Sequence, residues 1–167
     1  MNVLYVDFDN VLHGDVLRYR TPPTLRPETP GQVLFENIPI LVRLLEPYAD
    51  LKIVLSTSWV RELGFSRARN FLPASLQQRV VGATFHKRYM RKDEFAQLTR
   101  YEQIIADVER RRPARWLAID DDLDGWPEPR SNVVRMPLVV GLGASAAALE
   151  LEQRLERVFG KVEKPGD

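Results

Sequence analysis

The sequence predicts an α/β domain: a doubly wound, Rossmann-like parallel sheet with helices on both faces. Short, nearly continuous apolar runs alternate with helical patterns along the chain, which is typical of parallel strands buried on both sides. Strands are expected at 2–7, 51–56, 115–120 and 132–136, and more weakly at 79–84. Regular alternation of strand and helix favours one layered α/β domain.

Three helices are expected from the spacing of apolar residues. The first repeats leucine and isoleucine at helical spacing between residues 34 and 45. The second opens with a capping box formed by Thr99 and Glu102 and is stopped by Pro113. The last has an apolar face over 144–158.

Two segments lack such periodicity. Residues 13–33 are expected to form a long loop, because the proline-rich part at 21–31 is not expected to form regular structure. The polar residues 161–167 are expected to form a disordered tail, which leaves a single domain over 1–160.

Length and composition indicate an ordinary globular protein. The chain has 167 residues, of which 44% are hydrophobic and 28% charged. It contains no cysteine, which excludes disulfides, thiolate zinc sites and a cysteine nucleophile. No signal peptide and no apolar run of membrane-spanning length is recognised, so a cytoplasmic protein is expected. The oligomeric state is not predicted.

Charge is distributed unevenly. Residues 61–100 hold nine basic and three acidic side chains, a local excess of six positive charges, although the whole chain carries only +1. A basic block of this kind binds phosphate backbones in some proteins. Solvated helix faces produce the same pattern, so both interpretations stay open.

Polar residues follow three of the predicted strands. Asp7 and Asp9 follow the first, Ser56 ends the second, and Asp120 and Asp121 end the strand at 115–120. Ligands of doubly wound sheets bind beyond these carboxyl ends. An isolated Asp-x-Asp pair also fits a turn, but several acids crowded at one edge repel unless a cation holds them. Because Mg²⁺ prefers oxygen ligands, a magnesium site is expected.

Such a set of groups suits phosphoryl transfer. A carboxylate can attack phosphorus and form an aspartyl-phosphate, and a second carboxylate two residues on can exchange protons with the leaving group and with water. A metal ion and a basic side chain neutralise the phosphoryl oxygens, while a hydroxyl or a strand-end amide binds one of them.

The motifs resemble those of the haloacid dehalogenase (HAD) superfamily of aspartate-nucleophile phosphohydrolases. Residues 7–12 (Asp-Phe-Asp-Asn-Val-Leu) are similar to its first motif, 53–56 to its second and 117–121 to its fourth. Its third motif is a lone lysine or arginine near the start of a helix. Arg100 is the best match and Lys92 the alternative.

One branch of the superfamily is especially similar. The segment 55–59 (Leu-Ser-Thr-Ser-Trp) resembles the HAD domain of Swiss Army Knife RNA-repair proteins and of small stand-alone bacterial relatives. The intervals between motifs are too short or too loop-like for a large cap domain. An open, capless site suits a large substrate such as an RNA or DNA end or a phosphoprotein.

The resemblance implies a role for each motif residue. Asp7 would be the nucleophile, Asp9 the general acid and base, Ser56 a ligand of a phosphoryl oxygen, and Arg100 the group that steadies the phosphate. The Mg²⁺ ligands would be Asp7, the Asp9 carbonyl, Asp120 and Asp121, with the choice of direct ligand between the last two left open.

Neighbouring residues are candidates for substrate binding, namely Asn10, Thr57 and Trp59. Trp59 and Trp126 border the expected site, where they either stack a base or pack in the core. His13 follows the first motif and either reaches the substrate or is a loop residue.

The expected function is therefore a Mg²⁺-dependent phosphatase with an aspartyl-phosphate intermediate, acting on nucleic-acid ends or nucleotides. The alternative is a non-catalytic phosphate- or nucleic-acid-binding module that keeps the HAD fold. Because only turnover requires Asp9, its presence favours the enzyme. Transfer to an acceptor other than water also stays open.

Overall fold

The computed structural model describes residues 1–20 and 23–160. The tail predicted for 161–167 lies outside the described residues, so the expectation of one domain followed by a disordered tail stays a prediction. Among the described residues, no helix is long and apolar enough to cross a membrane.

The central element is a five-stranded parallel sheet, as the sequence predicted. The strands are β1 (Asn2–Val6), β2 (Val16–Arg20), β3 (Pro23–Pro27), β4 (Lys52–Leu55), β5 (Val80–Ala83), β6 (Arg115–Asp120) and β7 (Val133–Arg135). The sheet has the order β5-β4-β1-β6-β7, and all its pairs are parallel. The chain adds strands first on one side of β1 and then on the other, which creates a switch point at the carboxyl end of β1.

Helices cover both faces of this sheet. They are α1 (Ile38–Leu45), α2 (Ser58–Leu63), α3 (Phe65–Asn70), α4 (Ala74–Gln77), α5 (Lys92–Gln97), α6 (Arg100–Arg111) and α7 (Ser145–Phe159). Alternate residues of β1 enter two cores, with Leu4 and Val6 in the larger one beside α1 and α7, and Val3 and Tyr5 in the smaller one beside α6.

The segment after β1 differs from the prediction. Strands β2 and β3 pair as an antiparallel ribbon, so the expectation that 21–31 lacks regular structure was wrong for β3. Pro23 and Pro27 lie at the two ends of the pairing, opposite Arg20 and Val16, where a ribbon tolerates a missing N–H. This ribbon is a small insertion, and the described residues contain no large cap.

Helix boundaries also differ in places. The helix expected from residue 34 begins only at Ile38, because Phe35 has φ 60°, outside the helical region. The capping box that opens α6 is present: Thr99 accepts from the backbone N–H of Glu102, whose carboxylate accepts from that of Thr99. The short helices α2 to α5 were not predicted, since they are too brief to show a period.

Candidate active site

The register of the sheet places three polar residues side by side. Val6 pairs with Leu55 of β4 and with Ile119 of β6, so the next residue on each strand lies at the same level. These residues are Asp7, Ser56 and Asp120. The backbone continues the pairing there, because the Asp7 N–H donates to the Ile119 carbonyl. The three strand ends therefore form one site.

Three carboxylates at this edge converge closely. Asp7, Asp120 and Asp121 each offer one oxygen, and these oxygens all lie within 4.8 Å of one another. Asp7 is 4% and Asp120 0% exposed, while Asp121 is half-buried. Both acids at the end of β6 thus reach the place where a metal ion is expected.

Arg100 lies against this acidic cluster. It is the first residue of α6, and the capping box directs the start of that helix towards the sheet. Its Nη2 lies 3.4 Å from Asp7 Oδ2 and its Nε 3.0 Å from Asp120 Oδ2. Its Nη1 donates to the Ser56 carbonyl at 2.8 Å. Lys92, the alternative match to the third motif, is exposed at the start of α5.

Burial perturbs the ionisation of these groups. Desolvation raises the pKa of Asp7 to about 7, although Arg100 opposes the shift. It also raises the pKa values of Asp120 and Asp121, with the negative charge of Asp7 adding to the shift at Asp120. Burial disfavours the charged form of Arg100, but Asp7 and Asp120 more than offset this and raise its pKa. A single guanidinium does not neutralise three crowded carboxylates.

At this site, two buried oxygens have no hydrogen-bond partner among the described residues. They are Asp120 Oδ2 and Ser56 Oγ. Arg100 Nε is close to the first but is not aligned for a hydrogen bond. Buried polar atoms normally have partners, so these two oxygens fit a ligand. A carboxylate oxygen suits a hard cation, and a hydroxyl suits a phosphoryl oxygen.

The Asp9 side chain makes contacts of a different kind. It extends beyond β1 and is 21% exposed. Its Oδ1 accepts a hydrogen bond from Trp59 Nε1 at 2.9 Å and lies 3.1 Å from His13 Nε2. The carboxylate of Asp9 is therefore not one of the three that converge, and it contacts nitrogen donors instead, although its charge contributes to the raised pKa of Asp7.

Asn10 connects two loops at the edge of the site. Its Nδ2 donates to Asp121 Oδ2 at 3.2 Å, and its Oδ1 accepts from the Val139 N–H at 2.9 Å. The two residues that form this last bond have positive φ, 56° for Asn10 and 72° for Val139. This conformation is costly for Val139, because its side chain is β-branched. The structure places Asn10 beside the acidic cluster, and substrate contact by it stays a prediction.

The other two candidate substrate-binding residues lie at the start of α2. Thr57 is the N-cap, and its Oγ1 accepts from the Trp59 N–H. It lines a cleft of about 210 Å³ together with Arg100 and Arg61. Trp59 is only 1% exposed, so the expectation that its ring stacks a base does not fit its burial. Trp126, 8% exposed, is likewise buried.

A larger groove adjoins this cleft. It has a volume of about 750 Å³ and lies between α2, the end of β5 and the segment 84–92. Its basic lining residues are Arg61, Lys87, Arg88 and Lys92. Because Arg61 lines both cavities, the groove adjoins the cleft beside Arg100 at this residue. Four residues of the basic block therefore share one surface.

Comparison with known proteins identifies the family. Residues 3–147 match the sequence model of a family described as the HAD domain in Swiss Army Knife RNA repair proteins. The chain belongs to this family. The match confirms the resemblance to the HAD superfamily, and membership supports an enzyme of the hydrolase or phosphatase type. HAD domains typically use a metal ion, and the acidic cluster of Asp7, Asp120 and Asp121 is suited to bind one. No curated protein and no solved structure matches.

The sequence pattern did not reveal the role of two residues of this HAD domain. His13 was considered only as a substrate contact or a loop residue, yet it is fully buried beside Asp9. Trp59 was considered as a base-stacking or core residue; it packs in the core, and its indole N–H also donates to Asp9. The one available signal was the presence of two ring N–H donors close to the first two motifs.

Proposed function

We propose that this HAD domain is a Mg²⁺-dependent phosphatase that forms an aspartyl-phosphate on Asp7. The observation that carries the proposal is the cluster of Asp7, Asp120 and Asp121 within 4.8 Å at the carboxyl edge of the sheet. Arg100 touches two of these carboxylates. Buried acids crowded in this way lower stability unless a ligand compensates them, which is typical of a site kept for function.

The proposed first step is phosphoryl transfer to Asp7. A carboxylate oxygen of Asp7 forms a bond to phosphorus, and the bond from phosphorus to the ester oxygen breaks. Asp9, in its protonated form, gives its proton to the departing oxygen. Arg100 and the Ser56 hydroxyl would hold the equatorial phosphoryl oxygens during the transfer.

The second step releases phosphate. Asp9, now a carboxylate, accepts a proton from water, and the water oxygen attacks phosphorus. The bond to Asp7 breaks, which yields inorganic phosphate and restores the Asp7 carboxylate and the protonated form of Asp9. Asp7, the Asp9 carbonyl and Asp120 or Asp121 would hold Mg²⁺. When bound, this ion would neutralise the phosphoryl charge and reduce the repulsion between nucleophile and substrate.

A substrate panel tests the activity. Aryl phosphates, nucleotides and RNA or DNA oligonucleotides with 3′- or 5′-phosphate ends are incubated with Mg²⁺ or with EDTA, and released phosphate is measured. We expect Mg²⁺-dependent release from at least one class. Phosphate binding without release from any substrate would instead favour the non-catalytic binding module.

We further propose that the substrate is a single-stranded RNA end. Two observations support this substrate class: the family description names RNA repair, and the basic groove adjoins the cleft beside Arg100 at Arg61. The groove is lined by both apolar and cationic side chains, which suit the bases and phosphates of a single strand. Tyr89, 76% exposed beside Arg88, offers the accessible ring that Trp59 lacks.

Charge reversal in the groove tests the substrate. Lys87, Arg88 and Lys92 are exposed and line the groove, and all three are changed to Glu. In the matched control, the exposed Arg43, Arg112 and Arg157, which do not line it, are changed to Glu. We expect only the groove variant to bind single-stranded RNA more weakly, with a salt slope smaller by about 0.7 for each phosphate that it no longer neutralises.

The outcomes separate the possible substrates. Equal, weak and salt-insensitive binding by both variants and the wild type would end the nucleic-acid proposal and favour a small phosphorylated substrate. Equal binding of RNA and DNA strands would show that the groove does not read the 2′-hydroxyl. Neither result alters the phosphatase proposal, which depends on the acidic cluster.

A further inference from the structure

Two ring nitrogens approach the same oxygen of the Asp9 side chain. Trp59 Nε1 donates to Oδ1 at 2.9 Å, and His13 Nε2 lies 3.1 Å from the same oxygen. His13 and Trp59 are 0% and 1% exposed. Both nitrogens therefore approach Asp9 from the interior, on the side opposite to the solvent.

The hydrogen bonding of His13 fixes its tautomer. The backbone N–H of Phe35 donates to His13 Nδ1 at 3.2 Å, so Nδ1 carries a lone pair. The ring proton is then on Nε2, and Nε2 donates to Asp9 Oδ1. Phe35 adopts φ 60° at this contact, an unfavourable conformation for an aromatic residue, so the fold holds the ring at a local conformational cost.

Aromatic packing fixes Trp59 in the same place. Its ring lies 5.7 Å from Phe8, 5.3 Å from Phe35 and 5.1 Å from Phe71 between centroids, with steep interplanar angles. His13 completes the group at 5.3 Å. Edge-to-face packing of this kind limits ring motion. The two donors to Asp9 are thus held rigidly.

We propose that His13 and Trp59 are positioning residues that orient Asp9 for proton transfer, an inference that rests on the proposed phosphatase function. Two N–H groups that meet at Oδ1 fix the side-chain torsions of Asp9, which keeps its carboxylate in one orientation relative to Asp7. General acid catalysis depends on such alignment.

Leaving-group dependence tests this role. 4-Nitrophenyl phosphate expels a stable phenolate that needs little protonation, whereas phenyl phosphate expels one that depends on an acid. We expect Trp59→Phe to lower kcat/KM for phenyl phosphate about tenfold more than for 4-nitrophenyl phosphate, a part of the 10²–10⁴-fold that general acids supply. His13→Phe should act alike, and His13→Gln, which keeps an N–H donor, should recover most of the loss.

Trp126→Phe is the matched control. It makes the same chemical change at another buried tryptophan, whose Nε1 has no hydrogen-bond partner among the described residues. We expect it to leave the ratio of the two kcat/KM values unchanged. An equal loss with both substrates in Trp59→Phe, or no loss in either, would overturn the positioning role, and melting curves identify any variant that fails to fold.

Proton NMR tests the contact without turnover. The indole N–H signal of Trp59, assigned by its absence in Trp59→Phe, should move in Asp9→Ala, while the signals of Trp116 and Trp126 stay in place. An unmoved Trp59 signal would refute the interaction. If this signal moves but the wild type hydrolyses no phosphate ester, the proposed function fails and the positioning role falls with it.

Discussion

Helix α6 contacts strand β1 through two buried charged clusters that differ in how well their charges are balanced. At the start of the helix, Arg100 faces Asp7 and Asp120. Two turns later, Asp107 faces Tyr5, on the same side of β1 as Asp7. Both clusters bury carboxylates to 5% exposure or less, so burial alone does not distinguish them.

The Asp107 cluster is saturated with donors. Tyr5 Oη donates to Asp107 Oδ2 at 2.8 Å, and Arg111 Nε donates to the same oxygen at 2.8 Å. Arg110 Nη2 and Arg111 Nη2 donate to Oδ1. One carboxylate thus has two guanidinium partners and a hydroxyl. This arrangement compensates the cost of burial, and it joins α6 to the sheet.

The cluster at Asp7 has the opposite balance. Three carboxylates share one guanidinium, and Asp120 Oδ2 and Ser56 Oγ have no hydrogen-bond donor among the described residues. Such a deficit is expected where a ligand completes the cluster. The ratio of donors to acceptors therefore distinguishes the two clusters and supports the proposed metal site at Asp7.

The substitution Asp7→Asn is the strongest test of the difference between the two clusters. An amide cannot form the acyl-phosphate, so we expect turnover to fall at least about a thousandfold. The metal-free protein should melt no lower than the wild type, because the change removes one of the crowded charges. Phosphate release and melting curves measure both effects. Wild-type turnover in a normally folded Asp7→Asn protein would remove Asp7 as the nucleophile.

The same substitution in the other cluster should have the opposite effect. Asp107→Asn leaves two guanidinium groups facing a neutral amide, and we expect a loss of about 3 kcal/mol in the free energy of unfolding. The value lies at the low end for a broken buried pair, since Arg110 is partly exposed. Urea unfolding measures it. A stability unchanged by Asp107→Asn would contradict the structural role of this cluster.

The sequence was sufficient to predict the strand ends of the site, and the reason is geometric. Parallel strands bring their carboxyl ends to one edge, so Asp7, Ser56 and Asp120 were expected together before their register was known. Arg100 was predicted by resemblance, because the third motif is a lone lysine or arginine near the start of a helix and the capping box at Thr99 marks that start. Local patterns of this kind depend on a few adjacent residues.

Other features depend on contacts that no local pattern encodes. Trp59 lies fifty residues from Asp9 along the chain, and their hydrogen bond is set by side-chain rotamers and by aromatic packing. The β2/β3 ribbon was missed because proline content argues against strands in general, whereas its prolines occupy the two positions that tolerate them. Tertiary packing, not propensity, decides both cases.

The pH dependence of stability, with and without Mg²⁺, also tests the charge balance of the Asp7 cluster. The pKa of Asp7, about 7 in the folded protein against an ordinary 3.8, means that the folded state binds more protons between these values. The stability of the metal-free protein should therefore fall as the pH rises through this window. Mg²⁺ requires the deprotonated acids, so it should raise Tm more at about pH 8 than at about pH 5.

Two aspartate variants test whether the Mg²⁺-induced rise in Tm arises from the acidic cluster. Asp121→Asn should reduce the Mg²⁺-induced rise in Tm, because Asp121 belongs to the acidic cluster. Asp50→Asn, an exposed residue between α1 and β4, should preserve the rise. A Tm that responds to Mg²⁺ equally at both pH values would argue against ion binding by the acidic cluster.

The smallest expected effect tests whether the Asp107 cluster has donors in excess. Tyr5→Phe removes one hydroxyl donor and keeps the ring, which packs edge-to-face on Trp116 at 5.9 Å. Because Arg111 still donates to the same oxygen, the carboxylate keeps a partner on each oxygen, and the loss should be only about 1 kcal/mol, that of an ordinary hydrogen bond. Urea unfolding of Tyr5→Phe and Asp107→Asn under the same conditions gives the ratio of the two losses in the free energy of unfolding. A loss as large as that of Asp107→Asn would mean that the tyrosine hydroxyl is indispensable, and that saturation does not describe this cluster.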